Sequence, residues 1–516
     1  MPEPRLTSEL FLIPLDGRYL VYAPLRQAAF VGNAALARLV GDLNEGRVGV
    51  ADPTVASLVG FLRRLEMADA GHETRPLIRA RGPVRPTTVT LFVTTACNLR
   101  CVYCYARAGE RPAHAMSAEV ARHGIDFVVA NALELGRREV EVAYHGGGEP
   151  TTNWDTLVRS HEYARRRAEA CGLTLRTMMA TNGVLSEAQV DWVTRHITEA
   201  CLSFDGLPQA QDANRPTTDG HGSSGPVLAT LRRLDEARFA YSLRLTVTHE
   251  TIPLLPAAVD YICRSFRPAT IHVEPAYPMG RGEAWPSAET AAFVEAFRLA
   301  QREAWAHHQE LRFSPVRVGY LSNHFCGVTQ DNFCLLADDR VSSCFEAFST
   351  DQEPAHRFIY GAYDPATRGY GFDPARTEQL RRQTVDRLES CRRCFARWTC
   401  AGDCLYRRWA TMGEPDGEGA PSRCRLTREL TRDQVLRRVA LSGGLSWHER
   451  RTDPAVRSGS HALAGLPQPR PALPRVSDAA QPVPCVHPVG NPAHPAPSRE
   501  GVPITEMRAR MEGRSR

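Results

Sequence analysis

The 516-residue sequence contains no apolar run of about 18 residues, so we expect no membrane-spanning segment. Its first residues lack the basic-then-apolar pattern of a secretion signal, and we expect a cytoplasmic protein. The formal net charge is only +5, and no nucleic-acid-binding module is recognisable, so we expect no nucleic-acid partner. What is present is an ordinary composition, 43% hydrophobic and 23% charged, which is enough for a large core and several domains.

Cysteine is abundant, with 15 residues and no secretion signal, which favours metal ligation over disulfides. Cys97, Cys101 and Cys104 follow the apolar residues 89–93. Three thiolates this close can hold three irons of a [4Fe–4S] cube and leave the fourth iron open to a ligand. Zinc is the alternative, but zinc needs four ligands, and no fourth Cys or His follows at finger spacing. A chance group of reduced cysteines on a core loop is the other alternative.

The spacing Cys-x3-Cys-x2-Cys, with Tyr103 before the last cysteine, resembles the signature of the radical S-adenosylmethionine superfamily. In that family the open iron binds the amino and carboxylate groups of S-adenosylmethionine. Reductive cleavage of the sulfonium then gives a 5′-deoxyadenosyl radical, which takes a hydrogen atom from the substrate. The resemblance implies that Tyr103 packs beside the adenine.

Residues 1–80 are predicted to form a small α+β module. The apolar segments 10–15 and 18–22 flank Asp16 and Gly17, which predicts a hairpin, and Asn33 and Pro53 are expected to begin helices. This pattern is similar to the winged-helix modules that bind leader peptides in peptide-maturation enzymes, where a sheet edge receives an extended peptide. A plain packing subdomain is an equal alternative. Residues 72–87 are predicted to be a linker.

Strands and helices alternate over residues 87–310, which predicts parallel β/α architecture. Ser117 is expected to cap a helix that runs to about Leu135. Six β/α units match the open, partial (β/α)6 TIM-like barrel of the family, whose chemistry lies at the carboxyl ends of the strands. The predicted strands are 88–94, 139–144, 173–180, 200–204, 241–247 and 270–273.

The motif at the end of the second predicted strand resembles the GGEP motif that holds the amino group of S-adenosylmethionine. Its residues are Gly147, Gly148, Glu149 and Pro150. Glycine lets the backbone approach a ligand closely, and the glutamate can accept from an ammonium. His145, just before the motif, either faces the substrate or is a structural histidine, which is the stronger reading.

Later strand ends carry further residues that resemble those of peptide-modifying members. Asn182 and Ser203 are expected to contact the cofactor, Ser203 at the methionine carboxylate, with Asp205 near the ribose. Arg244 is expected to face the carboxylate, a surface arginine being the alternative. Glu274 is a candidate catalytic residue that could exchange protons with the substrate.

A second cysteine field lies in residues 311–440 and resembles the SPASM domain, an auxiliary-cluster extension of radical enzymes that modify peptides. The resemblance implies two fully ligated [4Fe–4S] clusters, and a structural zinc field is the alternative. One departure is Asp339, where the family usually has Gly; Asp tolerates a left-handed turn. The first cluster is assigned to Cys326, Cys334, Cys344 and Cys404, and the second to Cys391, Cys394, Cys400 and Cys424.

Four cysteines remain unassigned, of which Cys171, Cys201 and Cys263 are predicted core residues and Cys485 lies in the tail. A helix is expected from Cys424 to about Ala440. Residues 441–516 are predicted to be a disordered tail, because 12 of the 37 prolines fall in the last 66 residues.

Together these features predict a radical S-adenosylmethionine and SPASM peptide maturase. We expect three [4Fe–4S] clusters, S-adenosylmethionine, a precursor peptide or protein substrate, and a reductant such as flavodoxin or ferredoxin. The predicted product is a thioether or carbon–carbon crosslink, or a similar oxidative modification. The alternatives are an anaerobic sulfatase maturase that makes formylglycine, and a non-catalytic Fe–S electron carrier or peptide-binding scaffold.

Overall fold

A computed structural model describes residues 4–283, 287–349, 353–412 and 421–448 of the chain. It contains a four-stranded sheet with the strand order β1-β2-β3-β15, and an eleven-stranded mixed sheet with the order β10-β9-β8-β7-β6-β5-β4-β11-β12-β13-β14. None of the helices in these ranges combines the length and apolar character needed to cross a bilayer.

The N-terminal sheet begins with the predicted hairpin. β1 (Phe11–Leu15) and β2 (Arg18–Ala23) pair through a two-residue turn in which Gly17 has φ 66°, and β3 (Ala28–Asn33) adds antiparallel to β2. Both predicted helices are present: α1 (Ala34–Asn44), with the Asn33 side chain capping its first turn, and α2 (Pro53–Arg64). These two helices cover one face of the sheet, where Val21 and Phe30 are buried.

The large sheet confirms the predicted α/β class. Its first seven strands are parallel, and each pairs with the next strand along the chain. They are β4 (Thr88–Phe92), β5 (Glu139–His145), β6 (Thr174–Thr181), β7 (Glu199–Ser203), β8 (Tyr241–Val247), β9 (Thr270–Pro275) and β10 (Leu311–Arg312). The first six match the predicted strands to within two residues, and the short β10 is an addition.

The helices between these strands pack on the apolar side of the sheet. The predicted helix is present; the Ser117 side chain accepts from the Val120 amide at its start, and Leu135 caps its end before Gly136. The crossover helices are α3 (Ala118–Glu134), α4 (Trp154–Ala170), α5 (Glu187–His196), α6 (Pro208–Asn214), α7 (Ser224–Glu236), α8 (Leu255–Ser265) and α9 (Ser287–Ala306).

The C-terminal region continues the same sheet. β11 (Cys334–Leu335) pairs parallel with β4, and β12 (Arg340–Ser342), β13 (Ile359–Asp364) and β14 (Gly369–Phe372) follow antiparallel. The predicted boundary at residue 310 is therefore not a break in the packing, because one core contains both Val89 and Leu335. The helices of this region are α10 (Pro374–Arg381), α11 (Arg397–Cys400), α12 (Leu405–Met412) and α13 (Pro421–Leu441).

The predicted tail needs a correction at its start. After α13, which contains Cys424 rather than following it, the chain forms β15 (Ser446–His448), which pairs with β3. Gly443 and Gly444, with φ 110° and 86°, turn the chain back, and Trp447 is buried. Composition predicts disorder from residue 441 onward, but composition does not show that a single side chain, Trp447, is buried against the sheet. Residues 449–516, including Cys485, lie outside the described residues.

Candidate functional site

The first cysteine field is a loop at the carboxyl end of β4 that is held by backbone hydrogen bonds. The Arg100 amide donates to the Pro216 carbonyl at 2.7 Å, and the Val102 amide donates to the Asn214 carbonyl at 2.9 Å. The Asn182 side chain, which follows β6, donates to the Asn98 side chain at 2.7 Å. The loop therefore lies across the ends of several neighbouring strands, where a ligand of the strand ends would meet it.

The three thiols of this loop are close enough to influence one another. Burial raises the pKa of Cys97 to about 12, and repulsion from the thiolates of Cys101 and Cys104 acts in the same direction. Burial also raises the pKa of Cys101 to about 11. Because a thiolate is the form that binds a metal, such thiols ionise near neutral pH only when a cation joins them.

Asp205 connects this loop to the strand ends. Its carboxylate accepts hydrogen bonds from the Tyr103 hydroxyl, from the side-chain amide of Asn214 and from two nitrogens of Arg215 at 3.1 Å each. It also accepts a hydrogen bond from the backbone amide of Thr246. The Asp205–Arg215 pair is buried, and the Arg215 guanidinium lies 5.2 Å from the centre of the Tyr103 ring. Contact of Asp205 with the ribose and contact of Tyr103 with the adenine remain predictions. In the structure, both residues also help to hold the cysteine loop in place.

The glycine turn after β5 fits closely against the cysteine loop. A side chain at Gly148 would begin 2.0 Å from the Ala96 carbonyl oxygen, so only glycine is accommodated. The Glu149 amide donates to the same carbonyl at 2.8 Å. Pro150 then starts a short 3-10 helix that runs to Asn153. The turn and the loop therefore form one continuous wall.

The Glu149 carboxylate is buried and already accepts from four donors. These are the amide and hydroxyl of Thr151, the hydroxyl of Thr181 and the amide of Asn182. Burial raises the pKa of Glu149, although these hydrogen bonds act in the opposite direction. The predicted contact with an ammonium group would add to this set, and it remains a prediction.

Three polar side chains form a row across the neighbouring strands. Ser203 on β7 is in register with Arg244 on β8, which is in register with His272 on β9. Within the described ranges, the partly exposed side chains of Ser203 and Arg244 make no hydrogen bond or ion pair, and neither ring nitrogen of the buried His272 has a hydrogen-bond partner. Buried polar atoms without a partner, as in His272, are unusual inside a protein, and a hydroxyl beside a guanidinium suits a carboxylate.

The histidines around Arg244 are neutral near physiological pH. Burial and the nearby guanidinium lower the pKa of His272 to about 3 and that of His145 to about 4. The His145 ring lies between Phe92 and Phe345, and its buried Nδ1 has no partner in the described part of the chain. The hydrogen bond expected of a structural histidine at this strand end is therefore not made within the described residues, and contact of His145 with the substrate remains a prediction.

In the second cysteine field, the thiols of each foursome that the resemblance implies lie near enough to affect one another, and cluster ligation by either foursome remains a prediction. Thiolate repulsion connects Cys326 with its three predicted partners, and Cys391 with its own three. Burial raises the pKa of Cys326 and of Cys394 to about 11. The first foursome, Cys326, Cys334, Cys344 and Cys404, is buried; in the second, Cys391, Cys394 and Cys400 are partly exposed and Cys424 is exposed.

The thiols of both fields are the soft donors that iron–sulfur clusters and zinc both accept. Among the described residues, no three or more His, Cys, Asp or Glu side chains are arranged to hold one metal ion. Cluster ligation by either field remains a prediction. Of the unassigned cysteines, Cys201 is buried, Cys263 is buried among apolar side chains, and Cys171 is partly exposed.

A segment of the second cysteine field packs against the glycine turn and extends the wall that this turn forms with the cysteine loop. The Phe348 ring, four residues after Cys344, lies against Gly147, where an added side chain would begin 2.7 Å from the ring. Phe348 also contacts Tyr105, whose hydroxyl donates to the Gly146 carbonyl at 3.1 Å. The segment that carries Cys344 therefore covers the turn predicted to bind the cofactor.

Glu274, the candidate catalytic residue, is fully engaged at the end of β9. Its carboxylate accepts from the Tyr277 hydroxyl and the Ser314 amide and lies 3.6 Å from Arg423 and 3.9 Å from Arg407. Burial raises its pKa, but the nearby arginines outweigh burial and hold the pKa below its ordinary value. A catalytic task for Glu274 remains a prediction, and these contacts favour a structural one.

Several arginines of the site were not predicted. Arg317 is partly exposed and donates to the carbonyls of Thr399 and Phe325, each at 3.0 Å. Burial lowers the pKa of Arg317, and the thiolates of Cys400 and Cys326 act in the opposite direction. Arg407 binds Glu346, which is two residues after Cys344, at 2.7 Å. In the sequence, the only sign of these arginines is that some stand beside cysteines, as Arg423 stands before Cys424. This position does not show which residues the arginines contact.

Comparisons with known proteins agree with this geometry. A family model described as the Radical SAM superfamily matches residues 91–256. The mycofactocin maturase MftC of Mycolicibacterium smegmatis is 29% identical over 40% of this chain and 50% of its own length. The serine-type anaerobic sulfatase-maturating enzyme of Klebsiella pneumoniae is 23% identical over 63% of this chain and 82% of its own length.

One solved structure extends the match to the fold. Native anSMEcpe with bound AdoMet superposes with a TM-score of 0.55 at 15% identity, and the match covers 69% of this chain and 98% of that one. At this identity the likeness concerns the fold alone. The chain spans between 36% and 57% of the length of three of the curated relatives that it matches.

Proposed function

We propose that this chain, which carries a radical SAM domain, is a peptide maturase with a partial (β/α)6 barrel and a C-terminal SPASM domain. Its product would be a thioether or carbon–carbon crosslink, or a similar oxidative modification, in a ribosomally made peptide. One observation carries the proposal. The cysteine loop, the glycine turn and the segment with Cys344 form one continuous wall, at which the radical chemistry and the auxiliary clusters would meet.

The cofactor-binding residues follow from the same wall. Cys97, Cys101 and Cys104 would hold a [4Fe–4S] cluster with one open iron, which, together with S-adenosylmethionine, supplies a 5′-deoxyadenosyl radical. Ser203 and Arg244 are in register, and their side chains make no hydrogen bond or ion pair within the described ranges, so they would bind the methionine carboxylate.

The remaining residues orient and seal the site. Gly147, Gly148, Glu149, Pro150 and Asn182 would line the amino end of the cofactor. Glu149 lies there in its hydrogen-bonded cage, with Asn182 bridging to the cysteine loop. Tyr103 would lie along the adenine, and the Asp205–Arg215 pair would keep its ring in place.

The second field would hold two fully ligated clusters for an oxidative finish, because full ligation leaves no iron open to substrate. The first foursome lies behind Phe348 and Glu346, close to the glycine turn. The second foursome ends at the exposed Cys424, on the side where an external flavodoxin or ferredoxin could exchange electrons. Reducing, cytoplasmic conditions would suit such thiolate-rich sites.

A sulfatase-maturase-type enzyme is the second candidate. It is favoured by the extent of the match, which covers 82% of the Klebsiella pneumoniae sulfatase-maturating enzyme. That reaction would oxidise a Cys or Ser side chain to formylglycine, and it needs a proton acceptor beside the substrate. Glu274 follows His272 by two residues on β9, yet its oxygens are already engaged.

The proposal is tested by anaerobic reconstitution with iron and sulfide, followed by incubation with dithionite and S-adenosylmethionine. We expect 5′-deoxyadenosine and about 12 irons per chain, the content of three cubes. No 5′-deoxyadenosine at full iron content would instead indicate an electron carrier or scaffold. About 4 irons, with zinc in the second field, would refute the auxiliary clusters but not the first one.

The two enzymatic candidates are separated by mass spectrometry of peptide products. Peptides encoded beside this gene are incubated with the reconstituted enzyme, in parallel with a sulfatase peptide that carries the target Ser or Cys. A crosslink removes two hydrogen atoms and joins two residues in fragment spectra. Formylglycine instead gives an aldehyde that reacts with a hydrazide probe. Conversion of the sulfatase peptide alone would overturn the crosslinking proposal.

A further inference from the structure

The segment that follows β9, residues 276–283, packs against the cysteine loop. Gly280 has φ 60°, and a side chain there would begin 2.2 Å from the carbonyl oxygen of Cys104, which leaves no room for one. The backbone amide of the next residue, Arg281, donates to the same carbonyl at 3.0 Å. Met279 is buried in the core of the large sheet, so the segment is anchored to the sheet as well as to the loop.

The side chain of Arg281 holds a second carbonyl of the loop. Its Nε donates to the carbonyl of Cys101 at 2.8 Å, and this carbonyl also accepts from the amide of Cys104 at 3.2 Å. The carbonyl of Cys104 accepts from the amide of Arg107 as well as from that of Arg281. One residue therefore contacts the carbonyls of two of the three predicted cluster ligands, across the turn that joins them.

The rest of the guanidinium has one exposed ion partner and one unused donor. Nη1 donates to the Glu110 carboxylate at 2.8 Å and to the Ala108 carbonyl at 3.4 Å. The Glu110 side chain is 41% exposed, so water screens this ion pair and the charge of Arg281 is only partly offset. Nη2 is buried and has no hydrogen-bond partner in the described part of the chain. A buried N–H group without a partner is unusual inside a protein, and this one belongs to a cation that contacts the cysteine loop.

The charge of Arg281 acts on the thiol of Cys101. Burial raises the pKa of Cys101 to about 11, whereas the guanidinium groups of Arg215 and Arg281 act in the opposite direction. Arg215 forms a buried ion pair with Asp205, whose carboxylate also raises the pKa of Cys101 and so opposes its partner. The ion partner of Arg281 within the described ranges is the exposed Glu110. Of these two cations, Arg281 is therefore the one whose charge is less compensated at Cys101.

A positive charge at this position has a defined effect on a cluster bound by the loop. A cluster gains one negative charge when it accepts an electron from an external reductant, so a nearby cation stabilises the reduced form more than the oxidised form. Net charge and hydrogen bonding are among the factors that set the reduction potentials of iron–sulfur clusters. Arg281 therefore suits two tasks, one carried out by its donors and one by its charge.

We propose that Arg281 is a positioning residue of the first field. Its Nε, together with its backbone amide, fixes the carbonyls of Cys101 and Cys104, and its guanidinium charge favours the reduced form of the cluster that these cysteines would hold. The task of the charge rests on the proposed function, because it needs the cluster. The task of the donor does not, because it concerns the loop alone.

Three substitutions of Arg281 separate the two tasks. Arg281→Gln places a neutral N–H donor at the same distance along the side chain as Nε, so it keeps the donor and loses the charge. Arg281→Lys has a methylene group at that distance, so it keeps the charge and loses the donor. Arg281→Met loses both. Glu110→Gln is the matched control, because it removes the exposed ion pair and leaves Arg281 in place.

The donor is tested by hydrogen exchange on the full-length chain without iron. The amides of Cys104 and Arg107, which close the turn, should exchange about threefold or more faster in Arg281→Lys and Arg281→Met than in the wild type. They should exchange as in the wild type in Arg281→Gln and Glu110→Gln, and the amides of β4 should stay protected in all four variants. Wild-type exchange in Arg281→Met would overturn the task of the donor.

The charge is tested by a redox titration of the reconstituted chain, followed by electron paramagnetic resonance. The signal that is missing from Cys101→Ala identifies the first cluster. In Arg281→Gln and Arg281→Met its equilibrium should shift about tenfold toward the oxidised form, which lowers the midpoint potential by about 59 mV for one electron. The same equilibrium in Arg281→Lys and Glu110→Gln should stay within about twofold of the wild type.

The outcomes distinguish this inference from the proposed function. An unchanged potential in Arg281→Gln would overturn the task of the charge. A potential as low in Arg281→Lys as in Arg281→Met would also overturn it, because the loss would then follow the donor. If the wild type lacked the signal of a first cluster, the proposed function would fail instead, and the exchange measurement would still decide the task of the donor.

Discussion

The two cysteine fields of this chain are built in opposite ways. The first lies within one eight-residue loop, residues 97–104, at the end of β4. The second is spread over residues 326–424, and its foursomes interleave, because Cys404 joins Cys326 although it follows Cys400 in sequence. One local loop brings the three cysteines of the first field together, whereas the eight cysteines of the second field are brought together only by the tertiary fold.

The difference extends to how each field is embedded. The first-field thiols are partly exposed and are braced from outside by backbone bonds and by Asp205. Four thiols of the second field are buried in the core beside Arg407 and Glu346. Substitutions in the first field should therefore report on chemistry alone, and substitutions in the second should report on chemistry and packing together.

The largest effect is expected from Cys101→Ala. Removal of one of three ligands from a cluster with an open iron should abolish 5′-deoxyadenosine formation in the dithionite assay. The iron content should fall from about 12 to about 8 per chain, because the second field keeps its clusters. The thermal midpoint should change little, since this thiol lies in a loop that backbone bonds hold.

Cys263→Ala is the matched control for that variant. This thiol lies outside both fields, buried on α8 among apolar side chains. It should keep both cleavage and iron content. Cleavage that survives in Cys101→Ala would show that the ligand assignment of the first field is wrong.

Cys424→Ala should separate the two fields functionally. The first field stays intact, so 5′-deoxyadenosine should still form, while the modified peptide should not appear in mass spectra. Iron should fall by about 4 per chain. Because this thiol is exposed, the loss reflects ligation more than packing. Normal product formation would show that the second foursome is dispensable.

The contrast between the fields also explains what the sequence could and could not predict. The hairpin at Gly17, the helix capped by Ser117 and six parallel strands follow local rules, and all are present. Ser203 was expected at a strand end, where neighbouring parallel strands meet at one edge, and the structure places it in register with Arg244 inside β8.

The missed features depend on contacts between distant segments. The Arg407–Glu346 pair joins residues 61 positions apart, and Arg423 reaches Tyr277 from 146 positions away. No periodicity or turn signal encodes such pairs. β15 was missed for a related reason: three residues beside a proline-rich stretch gain their structure from a sheet whose other strands end more than 400 residues earlier.

A smaller but measurable effect is expected from Arg215→Met, which tests the external brace of the first field. The variant leaves the Asp205 carboxylate buried without its ion partner, and loss of one partner of a buried pair costs about 3 to 5 kcal/mol. Urea unfolding at pH 7 measures the change. The double variant Asp205→Asn with Arg215→Met removes both charges and should recover part of the loss. A loss of less than about 1 kcal/mol in the free energy of unfolding would show that the backbone hydrogen bonds alone hold the cysteine loop.

The smallest effect concerns Asp339, which anchors the second field to α3. Its carboxylate contacts His123 Nδ1 at 2.8 Å and accepts from the Tyr370 hydroxyl at 2.8 Å, while its backbone has φ 63°. Asp339→Ala loses both contacts and keeps the unfavourable backbone, whereas Asp339→Gly loses the contacts but adopts this φ freely. Asp339→Ala should therefore be less stable than Asp339→Gly by about 1 kcal/mol. Urea midpoints of the two variants give this difference directly. Equal midpoints would mean that the side-chain contacts, and not the turn, make aspartate acceptable where the family usually has glycine.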